Sequence, residues 1–273
     1  MAPSTHKPIT AKFKLSAIPA ATRQNLLRRS LCPRLQNKKY ATAIKAVANA
    51  VFNDKLGKWE EYRHLIKGEQ KIKWQTSGSK EFGRLSDGSD LTGTPGTQCV
   101  KWLHPNKLPP GKRATYLRIV ASHRPQKKDP DQVRGTIGGN RVIYHGPTQT
   151  PTVDITTFKL LANSIISTPN AKFIDADIAD FYLMTIMKDP EYMLIPYKLF
   201  PPDIIEQYNL ANKLDNGHVL AKIVKGRYGL PQAGQLAYDQ LKEHLAKADY
   251  HATPITPGLF LTQNPSNYLC TCG

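Results

Sequence analysis

Lys172-Phe173-Ile174-Asp175-Ala176-Asp177-Ile178-Ala179-Asp180-Phe181-Tyr182-Leu183 joins a short apolar run bearing acids to a turn with a second acid and two aromatics. Phe173, Ile174 and Ile178 suit a strand, and Asp177 falls at its end with Asp180 one turn further on. A carboxylate at a strand end, facing a cleft lined with basic residues, is what magnesium-dependent phosphoryl transfer needs. Hard Mg²⁺ takes oxygen ligands and keeps few protein contacts besides the substrate phosphates. The same residues also suit a helix N-terminus after a strand, with Asp as its cap. Taken alone, the stretch leaves both open.

Working outward, the spacing predicts strands over 191–196 and 219–224. A turn at 229–234 follows, then a helix over 235–248 with Leu236, Leu241 and Leu245 inward. Upstream, 152–167 reads as a helix with Val153, Phe158, Leu161, Ile165 and Ile166 at helical intervals, ended by Pro169-Asn170. Leu160, Leu161, Ile165 and Ile166 are expected in the core, and Tyr192 and Met193 as packing residues. Strand formers at 115–120 and 133–142, joined by a loop at 123–132, make a basic hairpin with Gly138-Gly139-Asn140 inside it or at a bend. Residues 86–111 read as loop with one edge strand at 98–103. Two earlier helices are expected, over 41–52 and over Lys71–Leu85, the second with Ile72, Gln75, Ser79, Phe82 and Leu85 on one side. Strands and helices interleave without regular β-α alternation, which points to an α+β fold.

Charge narrows the partners. Lys plus Arg number 38 against 21 Asp plus Glu, a formal net charge of +17. That balance fits a partner with a dense row of negative charges, nucleic acid before an anionic membrane, though a merely solvated basic surface is the bland alternative. Lys7, Lys12, Lys14, Arg23, Arg28, Arg29, Arg34, Lys38, Lys39 and Lys45 all precede the first acid, Asp54. Residues 1–40 are therefore expected to form a poorly ordered basic arm that touches phosphate loosely, or a targeting segment. No run approaches the roughly 20 apolar residues of a membrane span, so no membrane partner is expected. Cys32, Cys99, Cys270 and Cys272 lack metal-site spacing and read as ordinary reduced thiols.

A second motif, Lys225-Gly226-Arg227-Tyr228-Gly229-Leu230-Pro231-Gln232-Ala233-Gly234, is by itself a basic turn before a helix. Its glycines let the backbone approach a flat partner such as a base pair. Several passages, in order, carry a likeness to a known family: 62–67 (YRHLIK), Trp74 with 81–85 (EFGRL), 133–139 (VRGTIGG), 160–167 (LLANSIIS), 177–183 (DIADFYL), 190–193 (PEYM) and 228–234 (YGLPQAG). The chain resembles the reverse transcriptase of copia-type LTR retrotransposons, over roughly residues 55 to 265.

The resemblance implies a partial right-hand polymerase fold: a connecting helical and loop region over 41–113, then fingers and part of the palm over 114–273. It implies RNA-directed DNA synthesis from an RNA template, a DNA primer and deoxynucleoside triphosphates. Two Mg²⁺ (or Mn²⁺) ions would serve the complete enzyme, which would be part of a longer pol polyprotein replicating in a cytoplasmic particle. Asp177 matches the first catalytic aspartate and metal ligand, and Tyr182 the aromatic gate that excludes ribonucleotides. Asp180 and Phe181 line the nucleotide-binding turn, and Gln232 matches the glutamine that touches the incoming nucleotide. Arg134 matches the fingers residue that closes over the triphosphate, with Arg118 and Arg141 as further candidates. Lys225 and Arg227 would follow template phosphates. The family's second and third aspartates form an adjacent pair soon after Leu259-Phe260-Leu261, and no Asp-Asp dipeptide occurs in this sequence. Polymerisation by these 273 residues alone is therefore not expected, and a catalytically dead nucleic-acid-binding remnant is the alternative.

Overall fold

The computed structural model describes residues 49–172, 177–262 and 268–271. The basic arm at 1–40 thus lies outside the described residues, as do 41–48 of the first expected helix and 173–176 of the acid-bearing strand.

The described chain opens with an antiparallel ribbon, β1 (Ala50–Asn53) and β2 (Lys58–Glu61). The end of the helix expected over 41–52 is therefore a strand. Cross-strand pairing decides it: Phe52 lies opposite Trp59 with their rings edge-on at 5.3 Å, a pairing that suits branched and aromatic side chains on a pleat. Asn53 closes the turn, its Oδ1 accepting from the amides of Lys55 and Leu56.

Helices α1 (Tyr62–Leu65) and α2 (Lys71–Leu85) follow. The bounds of α2 are those expected, and Ser79, Phe82 and Leu85 of its expected inner face are buried, but the face is shifted away from Ile72. Ile72 is 73% exposed, while Trp74, Ser77, Gly78, Glu81, Phe82 and Leu85 turn inward. Their spacing of three and four is the helical stripe, set by the indole of Trp74 rather than by Ile72.

A two-residue ribbon, β3 (Gly88–Ser89) with β4 (Thr94–Pro95), leads to the main sheet. Its strands are β5 (Val100–Leu103), β6 (Ala114–His123), β7 (Asp131–Ile137), β8 (Ile186–Pro196) and β9 (His218–Lys225), in the order β5-β9-β8-β6-β7. Only the β6–β8 pair is parallel. The lower part of β6, residues 114–116, pairs with β8, and its upper part, 117–123, pairs with β7, so one strand changes partner and the sheet curls. The expected basic hairpin is β6–β7, and Gly138 starts a bend after it. The edge strand β5, from the segment before residue 114, belongs to the same sheet as the strands after it.

Phe82, Trp102 and Phe200 pack ring to ring at the base of the sheet, Phe82 and Phe200 at 4.7 Å. Met193 is buried in that cluster, and Tyr192 is buried as well. Helix α3 (Ile155–Ser167) is capped by Asp154, whose Oδ1 accepts from the amides of Thr156 and Thr157. Its apolar side chains are not core as expected: Leu160 is 66% and Ile166 84% exposed, Leu161 and Ile165 half-buried. None of the helix's residues is buried. Helix α4 (Pro202–Gln207) braces α2 through Asp203, which accepts from Ser79 Oγ at 2.7 Å. Helix α5 (Ala233–Lys247) buries Ala237 and Tyr238 fully, leaving Leu236, Leu241 and Leu245 half-buried. A small sheet of β10 (His251–Ala252), β11 (Leu259–Leu261) and β12 (Tyr268–Cys270) follows, with Phe260 packed near Tyr238. Cys99 is a buried free thiol. No described helix is long and apolar enough to cross a membrane.

The whole is a mixed α+β fold built on a curled sheet.

Candidate functional site

The outer edge of β7 is closed by other parts of the chain. Its outward amides at residues 133, 135 and 137 donate in turn to Ser77 Oγ (3.0 Å), Glu81 Oε1 (2.8 Å) and the Tyr228 carbonyl (3.0 Å). The fit is geometric. Four residues of helix rise about 6 Å and two residues of strand about 6.6 Å, so side chains at 77 and 81 meet alternate strand amides. An edge that would otherwise template another chain is thereby sealed.

Glu81 is the centre of this contact. Only 3% exposed, it accepts at Oε2 from Arg84 Nη2 (2.8 Å), Arg84 Nε (3.2 Å) and Arg134 Nη1 (3.2 Å). A buried carboxylate is stable only with such a donor set. Arg84 spends its remaining Nη1 on Asp180 Oδ1. Burial alone would lower the Arg84 pKa, but the carboxylates of Glu81 and Asp180 hold it above its ordinary value. Asp180 sits in the left-handed region at φ 52, unusual for a residue with a Cβ.

Tyr182, two residues on, is half-buried with its ring edge-on to Tyr228 at 4.9 Å. The turn carrying Tyr228 approaches both neighbours closely: Gly226 N donates to Thr185 O at 2.7 Å, and a Cβ on Gly226 would come within 2.7 Å of Tyr182 O. Gly229, at φ +97, lies against the backbone of Ile137, where any Cβ would collide with the Ile137 carbonyl. Gly229→Ala is accordingly expected to cost about 2–3 kcal/mol in urea denaturation, from a strained φ plus the clash. A loss under about 0.5 kcal/mol would show that the turn can leave β7 freely.

The expected site residues divide. Asp180, Phe181, Tyr182 and Arg134 are brought together, Arg134 half-exposed beside the Glu81–Arg84 pair. Gln232 lies in the wall of a cleft of about 510 Å³ with Lys112, Arg113, Arg141, Glu191 and Leu236. It is 4% exposed, donates through Nε2 to Glu191 Oε1 at 3.4 Å, and its Oε1 has no protein partner. Burial pushes the Glu191 carboxyl up, with Lys112 opposing. Arg141 stacks its guanidinium on Tyr116 at 5.1 Å, and Arg118 donates to Asn49 Oδ1.

Of the two residues expected along template phosphates, Arg227 is turned inward and Lys225 bonds a neighbouring carbonyl. Arg227 is 1% exposed and turned into the protein, Nη2 donating to Gly135 O at 3.2 Å. Gly135 makes room for it, since a Cβ there would lie 2.5 Å from Arg227 Nη2. Burial lowers the Arg227 pKa. Lys225 Nζ donates to Thr97 O at 2.6 Å. Arg227 therefore presents no charge at the surface, while Lys225 is half-buried.

Asp177 is exposed and does not line the Gln232 cleft. With Asp180 committed to Arg84, no group of three or more His, Cys, Asp or Glu among the described residues is arranged to hold a metal ion. Asp177 can supply one oxygen ligand, but the described residues do not make the set that two ions need.

Glu81 and Arg84 were given no role from sequence. The available signal was a carboxylate on the same helical stripe as Trp74, Phe82 and Leu85, a place where charge survives only if paired. No protein family, curated protein or solved structure matches this chain.

Proposed function

We propose that the chain is the fingers and part of the palm of an RNA-directed DNA polymerase of the copia-type retrotransposon class. One observation carries the reading. The passages around 81–85, 133–139, 177–183 and 228–234, far apart in sequence, meet through the Glu81–Arg84–Asp180 and Arg134 ion pairs, the Gly135 contacts and the Tyr182–Tyr228 ring pair. Three guanidinium groups, of Arg84, Arg134 and Arg227, gather there with two carboxylates, which leaves an excess of positive charge.

In this reading Arg134, the most exposed of the three, meets the triphosphate of the incoming nucleotide. Tyr182 underlies the sugar, and the backbone at Asp180 and Phe181 supplies donors to phosphate. Gln232 meets the nucleotide or its templating partner from the wall of the cleft. Asp177 serves as one ligand of the catalytic magnesium, and the remaining ligands come from the rest of the pol polyprotein. Template RNA and primer DNA lie across the basic surface. The test is primer extension on a homopolymer RNA template by the longest natural product that contains this sequence. Extension that depends on Mg²⁺ or Mn²⁺ is expected, and its absence overturns the reading.

The net charge of +17 supports a second reading, in which the chain holds nucleic acid without catalysis. Both readings expect strong salt dependence. Binding of a primer–template duplex by this chain should weaken about a thousandfold between roughly 50 and 200 mM salt, as for about six phosphate contacts. A slope near zero in a filter-binding or anisotropy series would remove nucleic acid as the partner.

A further inference from the structure

We propose that Glu81 and Arg84 are positioning residues: together they brace the turn at 180–182 from below and thereby set which sugar the site accepts. The inference rests on the polymerase reading for its consequence, but the brace itself stands on geometry. Arg84 is a fork with three donors in use, two nitrogens on Glu81 and the third on Asp180. Only the planar guanidinium can span both carboxylates at once. Its side chain is 16% exposed and that of Glu81 3%, so water competes little for either.

The turn needs such a hold. Asp180 adopts φ 52 and ψ 29, a left-handed conformation that Asp tolerates better than most residues and that an anchored side chain helps to hold. Immediately after it, Met184 N donates to Asp180 O at 3.2 Å and Thr185 N to Tyr182 O at 3.1 Å, a single short helical turn with little strength of its own. The Tyr182 ring leaves this turn to meet Tyr228. Anything that moves Asp180 therefore moves Tyr182, and Arg84 is the side chain that holds Asp180. Glu81 in turn fixes Arg84 and ties it to β7 through the Gly135 amide, so the brace joins α2, the strand β7 and the turn at one point.

Two measurements decide it. In hydrogen exchange, Arg84→Gln should speed exchange of the Met184 and Thr185 amides at least about tenfold, leaving β8 and β9 amides at their native rates. Turn amides that keep their protection, or a uniform acceleration across the chain, overturn the brace. Arg84→Lys, which keeps the charge and loses the fork, is read in the same way if Arg84→Gln does not fold. In the longest natural product, Arg84→Gln should raise KM for deoxynucleotides more than it lowers kcat. It should also cut discrimination against ribonucleotides about tenfold, with Asp180→Asn giving the same loss and the double variant no more. Unchanged sugar discrimination, or additive losses, overturn the link to sugar choice. A wild-type protein that extends no primer refutes the polymerase reading and leaves the exchange result to judge the brace.

Discussion

Asp177→Asn is expected to lower primer extension by the longest natural product at least about a thousandfold, with template binding unchanged. Asn keeps the shape of Asp but supplies a neutral carbonyl oxygen where a hard divalent ion favours an anionic ligand. Lewis-acid stabilisation of transition-state charge is worth several kcal/mol, and about 4 kcal/mol corresponds to a thousandfold in rate. Position supports Asp177 for this role over its neighbour. Asp180 is committed to Arg84, whereas Asp177 is exposed and makes no ion pair among the described residues. Because Asp177 is exposed, the substitution should leave folding intact, so the comparison isolates chemistry. Extension that survives Asp177→Asn excludes the residue as a metal ligand.

Glu81→Ala should destabilise the folded chain by about 3–5 kcal/mol, the cost of stripping the partner from a buried charge cluster. The loss has several parts. The Gly135 amide loses its acceptor, and Arg84 and Arg134 lose the carboxylate they share. Arg227, 1% exposed, is left with a carbonyl for company. Glu81→Gln retains an acceptor for Gly135 and should cost less than Glu81→Ala, which separates the hydrogen bond from the charge. Thermal denaturation of this chain measures both, and a fall of roughly 10 °C is expected for Glu81→Ala. A change under about 1 kcal/mol would mean that water reaches the cluster and that Glu81 is no hub.

How much of this was legible in sequence depends on the range of the interaction. The bounds of helix α2 were, to the residue, because helical spacing over that length is a local signal, though Ile72 is not on its inner face. The β6–β7 hairpin and β8 and β9 were too, from their strand formers. The ribbon of β1 was not: four residues carry no period, and Phe52 is a strand residue because Trp59 lies opposite. The face of α3 is not core because spacing gives amphipathicity and says nothing of whether a partner element lies against it. Arg227 looked like a phosphate contact in a basic turn, yet Gly135 leaves a place for its guanidinium inside the fold, a complementarity between residues 92 positions apart. Glu81 was hidden for the same reason. Its partners are a strand amide and an arginine of the hairpin, and helical spacing alone shows only a charge on the wrong face. The Asp177 motif suggests chemistry in sequence, but the ion pair that occupies its neighbour Asp180 does not show there.

The most direct measurement is photocrosslinking of a photoreactive deoxynucleoside triphosphate to the longest natural product bound to template and primer, with the labelled peptides mapped. Label confined to 134–139, 177–184 and 226–234, and chased by unlabelled deoxynucleotide, is the predicted result. Label elsewhere on the protein, or label that unlabelled nucleotide does not displace, contradicts a nucleotide site at this junction.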